Sequence, residues 1–104
     1  MIIGLEDGCL TLVRNKNDDE AILVLARCEE HILSVFPDCD IFMHAYADFQ
    51  YRAFVNEIEV AQKIVNMVTS IGYDTFTNIE DDRLRSAYSS MNQECYIQYI
   101  DERI

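Results

Sequence analysis

Ala21-Ile22-Leu23-Val24-Leu25-Ala26 is the stretch on which the fold turns. It is apolar throughout, and at six residues it suits a central strand covered on both faces. The segments on either side are therefore read as its sheet partners. Upstream, Ile2–Leu5 and Cys9–Arg14 read as short strands around the turn Glu6-Asp7-Gly8. Asn15-Lys16-Asn17-Asp18-Asp19 is the strongest turn signal in the chain and leads into the apolar run.

Downstream, Cys28–Phe36 is predicted to be helical. Cys28, Ile32, Val35 and Phe36 fall at i, i+4, i+7 and i+8, while Glu29 and Glu30 face out and favour the N-terminal end. Pro37 stops the helix. Cys39, Ile41 and Met43 then alternate with Asp40, Phe42 and His44. After an Ala45–Asp48 turn, Phe49, Tyr51, Ala53 and Val55 alternate with Gln50, Arg52 and Phe54, so the two runs make a hairpin. Asn56-Glu57-Ile58-Glu59 has the logic of a capping box, in which Asn56 accepts from the N3 amide and Glu59 reaches back. The helix predicted over Asn56–Ile71 lines one face with Val60, Ala61, Ile64, Val65, Met67, Val68 and Ile71, and Gly72 follows at the left-handed C′ position. Tyr73–Thr77 is an aromatic-bearing loop. A last helix, Ile79–Tyr99, starts at Asn78 with Glu80, Asp81 and Asp82 against its N-terminus. Its apolar stripe is Leu84, Ala87, Tyr88, Met91 and Cys95, extended by Tyr99.

The expected architecture is α+β: an antiparallel sheet of about three to five strands with helices packed on one face, in the split ββαββαα order of a ferredoxin-like variant. One domain is expected over 1–104, since Gly and Pro are scarce and nothing reads as a linker. The longest apolar run is far too short to span a membrane. The N-terminus lacks the basic and apolar regions of a signal peptide, which predicts a cytoplasmic protein with its four cysteines reduced and with Cys28 and Cys95 buried.

Charge carries the functional signal. Nineteen acidic residues against eight basic ones give a formal net charge of -11 on 104 residues. That exceeds the magnitude of about 2–8 usual for solubility in a small domain. Such a field repels nucleic acid and anionic membranes and attracts basic partners. The acids cluster as Glu6/Asp7, Asp18/Asp19/Glu20, Glu29/Glu30, Asp38/Asp40 and Glu80/Asp81/Asp82. A spaced array of carboxylates can occupy a groove evolved for phosphates.

Catalytic and metal motifs are weak. Cys28-x-x-His31 with Cys39 and His44 has the residue types of a zinc centre, but Cys39 and His44 point to opposite faces of one strand. The Asn15–Glu20 turn lacks the glycine and distal glutamate of an EF-hand loop. No nucleophile elbow, dinucleotide fingerprint or phosphate-binding loop is present. No cofactor and no enzyme activity are expected. Arg27, Arg52, Arg83 and Arg85 read first as internal partners for surplus acids, and second as the makings of a small anion pocket.

The stretch from Ala47 to Cys95 resembles a family of small uncharacterised proteins associated with phages and prophages. The matching residues are Ala26-Arg27, Phe36-Pro37, Ala47-Asp48-Phe49-Gln50-Tyr51-Arg52-Ala53-Phe54-Val55, Ile71-Gly72-Tyr73-Asp74-Thr75-Phe76 and Arg85-Ser86-Ala87-Tyr88. Thr75 stands where the family often has Asn, and Asn92 where it often has Trp. The resemblance implies a phage or mobile-element origin and brings no catalytic residue with it.

Together these features predict a non-enzymatic acidic protein that binds and inhibits a basic, nucleic-acid-handling host complex, of the anti-CRISPR or anti-restriction kind, as a DNA mimic. Asp18, Asp19, Glu80, Asp81 and Asp82 are the expected contact acids. Phe49, Tyr96 and Tyr99 are the expected exposed anchors. No direct nucleic-acid binding is expected, and a homodimer is compatible with the sequence. A small-ligand or regulatory module using the Arg52/Arg83/Arg85 region is the second expectation, and a thiol enzyme the third.

Overall fold

The computed structural model describes residues 1–75 and 78–100, with backbone only at residues 99 and 100. By its internal contacts the chain forms two compact units, Met1–Ile71 and Gly72 onward.

The first unit is a five-stranded antiparallel sheet with two helices. Its strands are β1 (Ile2–Gly4), β2 (Cys9–Arg14), β3 (Ala21–Ala26), β4 (Ile41–Met43) and β5 (Tyr51–Asn56), and its helices α1 (Glu29–Leu33) and α2 (Glu57–Thr69). The sheet order is β1-β2-β3-β5-β4. Ala21–Ala26 is the central strand, paired along its length with β2 on one side and β5 on the other. Both β3 and β4 run antiparallel to β5, so β3–α1–β4 is a split unit with β5 inserted between two parallel strands. That is the split order expected of a ferredoxin-like variant.

Two local turns make β1–β2–β3 a meander. Leu5 N–H bonds the Gly8 carbonyl at 2.8 Å. In the second turn, the side chains of Asn15 and Asp18 each accept a backbone N–H two residues on, at 3.1 and 2.9 Å, the local bond that makes Asn and Asp turn formers. Gly8 is required by a close approach. A Cβ there would lie 2.5 Å from Cγ of His31, whose Nδ1 accepts the Cys9 N–H at 3.2 Å. The imidazole thus ties the β1–β2 turn to α1.

Alternation decides the core. Leu10 and Leu12 of β2, Val24 and Ala26 of β3, and Ala53 and Val55 of β5 meet Ile32, Phe36 and Val60 on one face of the sheet. Phe36, Leu10, Ile32 and Val24 are essentially fully buried, each contributing roughly 1.5–3 kcal/mol by removal from water.

The helix ends differ from expectation in four places. First, α1 is shorter than Cys28–Phe36: Cys28 is extended at the N-cap, and after Leu33 the chain loosens, with Val35 and Phe36 N–H both bonding Ile32 O. Pro37 disfavours helix in the residue before it, which frees Phe36 to enter the core. Second, Asn56 caps α2 by accepting from Ile58 N at 2.9 Å, one residue earlier than the N3 amide. Third, Gly72 is not left-handed, and α2 stops at Thr69. The hydroxyls of Thr69 and Ser70 bond back to Val65 O and Asn66 O at 3.0 and 2.6 Å, taking up carbonyls that a glycine cap would have served.

The fourth difference lies in the second unit. Its helix α3 runs Asp82–Ile100 rather than from Ile79. Asp81 caps it, with one oxygen accepting Arg83 N and Leu84 N at 3.0 and 3.2 Å. Asn78 bonds Asp74 at 2.7 Å instead. Ile79, Leu84 and Tyr88 are buried, but Ala87, Met91 and Cys95 are exposed, so the predicted stripe ends after two turns. Part of the Tyr73–Thr77 loop, residues 76 and 77, lies outside the described residues. Among the described residues no helix is long and apolar enough to cross a membrane.

Candidate functional site

The carboxylates are at the surface. Every described Asp and Glu except Glu57 is exposed, and no polar or charged described residue is buried. Of the five acids expected to meet a partner, three have local work. Asp18 closes its turn, Asp81 caps α3, and Asp82 forms an ion pair with Arg85. Asp19 and Glu80 project from a turn and from the approach to α3. Asp18 and Asp19 belong to the first unit, and Glu80, Asp81 and Asp82 to the second.

The anchors divide as well. Tyr96 is exposed, with 61% of its surface open. Phe49, expected exposed, is half-buried: its ring lies 5.0 Å under the Arg27 guanidinium and its carbonyl accepts from Arg52 Nε at 3.2 Å. The side chain of Tyr99 lies outside the described residues.

Three of the four arginines named from the sequence have internal partners, while Arg83 is exposed. Arg27 stacks on Phe49, Arg52 holds the Phe49 carbonyl, and Arg85 bonds Ile79 O at 2.9 Å besides pairing with Asp82. Arg14, which sequence reasoning passed over, pairs with Glu57 and donates to Asp19 O at 2.7 Å.

Three of the four thiols are raised. All four cysteines are free. Cys95 is exposed and Cys28 half-buried, against the expectation that both would be buried. The helical stripe that should have sunk them ends too soon in α3 and starts too late in α1. Burial pushes the Cys9 and Cys39 thiols above the usual range, and the hydrogen bond from Cys28 to the Glu30 carboxylate at 2.7 Å pushes Cys28 up. A raised thiol holds less thiolate near neutrality and is a poorer nucleophile. Among the described residues no three His, Cys, Asp or Glu side chains converge to hold a metal ion.

An apolar groove is the feature missed in the sequence. It encloses about 430 Å³ between β2, β3 and α2, lined by Leu12, Val13, Ile22, Ile58, Ala61 and Ile64, with the Arg14–Glu57 pair at its rim. It exists because α2 carries two apolar lines. Val60 is buried against the sheet and Ile64 packs beside it, while Ile58, Val65 and Val68 are each more than 60% exposed, against the expectation of one buried face. The signal was available: with Ile58 included, the apolar arc covers roughly half the helix circumference, wider than the stripe of about 100° that faces a core.

The acidic turn is continuous with this groove. Glu57 N–H bonds Glu20 O at 2.8 Å, and Arg14 reaches Asp19 O. The Asp19 and Glu20 carbonyls therefore lie beside the Arg14–Glu57 pair, and Met1, whose terminal ammonium donates to Leu12 O at 2.9 Å, completes the groove lining. The arrangement can seat apolar groups. The chain matches no protein-family model, no curated protein and no solved structure.

Proposed function

We propose that this chain is a non-enzymatic interaction protein that binds a basic partner, and that the partner is a nucleic-acid-handling host complex which it inhibits by presenting carboxylates where phosphates would bind. The single observation that supports this most is the disposition of charge: a net -11 with every described acid but Glu57 exposed, while Arg14, Arg27, Arg52 and Arg85 are each held by an internal partner. Opposed surface potentials raise association rates and set register. The raised Cys9, Cys28 and Cys39 are poor candidates for a nucleophile, and the internal partners of Arg52 and Arg85 argue against an anion pocket built on them. The phage or mobile-element origin rests on the motif resemblance and is part of the proposal.

The test is capture from bacterial lysate followed by association kinetics. Wild-type chain is compared with a variant in which Asp18, Asp19, Glu80, Asp81 and Asp82 are replaced by Asn or Gln. Asparagine at 81 keeps the α3 cap. Captured basic nucleic-acid-binding proteins, an on-rate that falls as salt rises, and a slower on-rate for the variant are expected. Salt-insensitive binding that survives the fivefold neutralisation would reduce the acidic surface to a solubility device.

A further inference from the structure

We propose that His31 is a pH-sensitive latch: its neutral imidazole holds the β1–β2 turn against α1, and protonation of the ring releases that turn.

The sheet leaves one amide of β2 without a strand to bond. In an antiparallel sheet the N–H groups of a strand point alternately to its two neighbours. Leu12 N–H bonds Met1 O at 2.8 Å, and Leu5 N–H bonds Gly8 O just past the end of β1. The amides of Leu10 and Leu12 therefore face β1, and those of Cys9, Thr11 and Val13 face β3. Thr11 and Val13 lie opposite Leu25 and Leu23 there. Cys9 has no such partner, because β3 ends at Ala26 and the pairing ends at Thr11. The acceptor it finds is Nδ1 of His31, at 3.2 Å. The imidazole takes the place of the next carbonyl of the ladder.

Only one form of the ring can do this. A nitrogen that accepts carries no proton, so the neutral ring has its proton on Nε2. Both nitrogens of a protonated ring are donors. Turning the ring over brings the carbon Cδ2 to the place of Nδ1, and it accepts nothing. In either orientation the protonated ring offers the Cys9 N–H no acceptor. The same ring packs directly on buried Gly8, where a Cβ would lie 2.5 Å from Cγ and 2.7 Å from Cδ2 of His31. One side chain thus both bonds the turn and covers it, so that moving the ring uncovers Gly8.

The charged surroundings draw an imidazolium away from Cys9. On its own helix, Glu30 lies within electrostatic reach of His31, and Glu29 is exposed beside it. The turn brings exposed Glu6 and Asp7. Burial keeps the Cys9 thiol of β2 protonated. Arg27, at the end of β3, is held over Phe49, and Arg52 of β5 is held by the Phe49 carbonyl. The carboxylates attract a protonated ring, while the two arginines are engaged elsewhere. Histidine is the side chain whose charge changes between about pH 5 and 8. What the latch moves is the turn that carries Glu6 and Asp7, together with β1, the edge strand next to β2.

The experiment is a titration of the full chain by NMR, from about pH 8 to about pH 5 at constant ionic strength. The His31 ring resonances report protonation. Hydrogen exchange, corrected for its intrinsic pH dependence, reports the Cys9 amide. Protection of Cys9 is expected to fall about tenfold, the equivalent of one hydrogen bond, along the titration curve of the His31 ring. Thr11, whose amide faces β3, is expected to keep its protection. His31→Asn puts an amide oxygen near the place of Nδ1 and does not titrate, so it is expected to keep Cys9 protected throughout. His44→Asn removes the other histidine and is expected to leave the wild-type response intact. Cys9 protection that stays constant while the His31 ring titrates overturns the proposal. So does a fall that persists in His31→Asn or vanishes in His44→Asn, which assigns it to another group, and so does a fall that Thr11 shares, which is unfolding. The wild-type titration decides the matter even where a variant does not fold.

Discussion

Helices α2 and α3 divide their apolar residues between core and surface in different patterns. In α2 the aliphatics form two lines. Val60 and Ile64 pack toward the sheet, and Ile58, Val65 and Val68 remain open. Among the described side chains of α3 only Leu84 and Tyr88, in the first two turns, are buried, and every residue from Ser89 to Gln98 is exposed. The first helix thus leaves a line of aliphatics open beside the side that packs. The second packs only at its start and leaves Met91, Tyr96 and Ile97 open further along.

The comparison breaks most readily at α3. Leu84→Ala removes one of its few buried side chains and is expected to cost about 2–5 kcal/mol, read as a lower urea midpoint by circular dichroism. A loss under 1 kcal/mol would show that the early turns of α3 do not anchor it. A smaller effect is expected at its cap. Asp81→Ala leaves two backbone N–H groups without their acceptor and is expected to cost about 1 kcal/mol, with Asp81→Asn close to neutral. Equal losses for both would make the charge, rather than the cap, the stabilising feature. The smallest effect sharpens the α2 side. Ile58→Gln and Val68→Gln are expected to leave the midpoint within about 0.5 kcal/mol of wild type. A large loss at either would mean that the open line is part of the folded core.

Much of the sheet was legible. The strands around Ala21–Ala26 follow from alternation and turn residues, both of which are local. The β4–β5 hairpin follows for the same reason, with Tyr51, Ala53 and Val55 turned inward. Helix ends were less legible, because several residues compete for the same role. Asp81 outcompeted Asn78 for the α3 cap, and Thr69 and Ser70 ended α2 before Gly72. The candidate site was half legible. The acids of the Asp18–Glu20 turn stood out as a cluster. Arg14 and Ile58, which join that cluster to the groove, belong to different elements and meet only through the fold.

The sequence by itself determined the elements, the central strand and the sign of the surface. These depend on the order of apolar and polar residues over a few positions and on the sum of charges. Only the tertiary structure decided which side of α2 would be covered, that Arg14 and Glu57 would pair beside a groove, and that Phe49 would be tied beneath Arg27. Those outcomes depend on where β2, β3 and α2 come to lie. A helix with aliphatics around half its circumference can bury only the side that its neighbours reach.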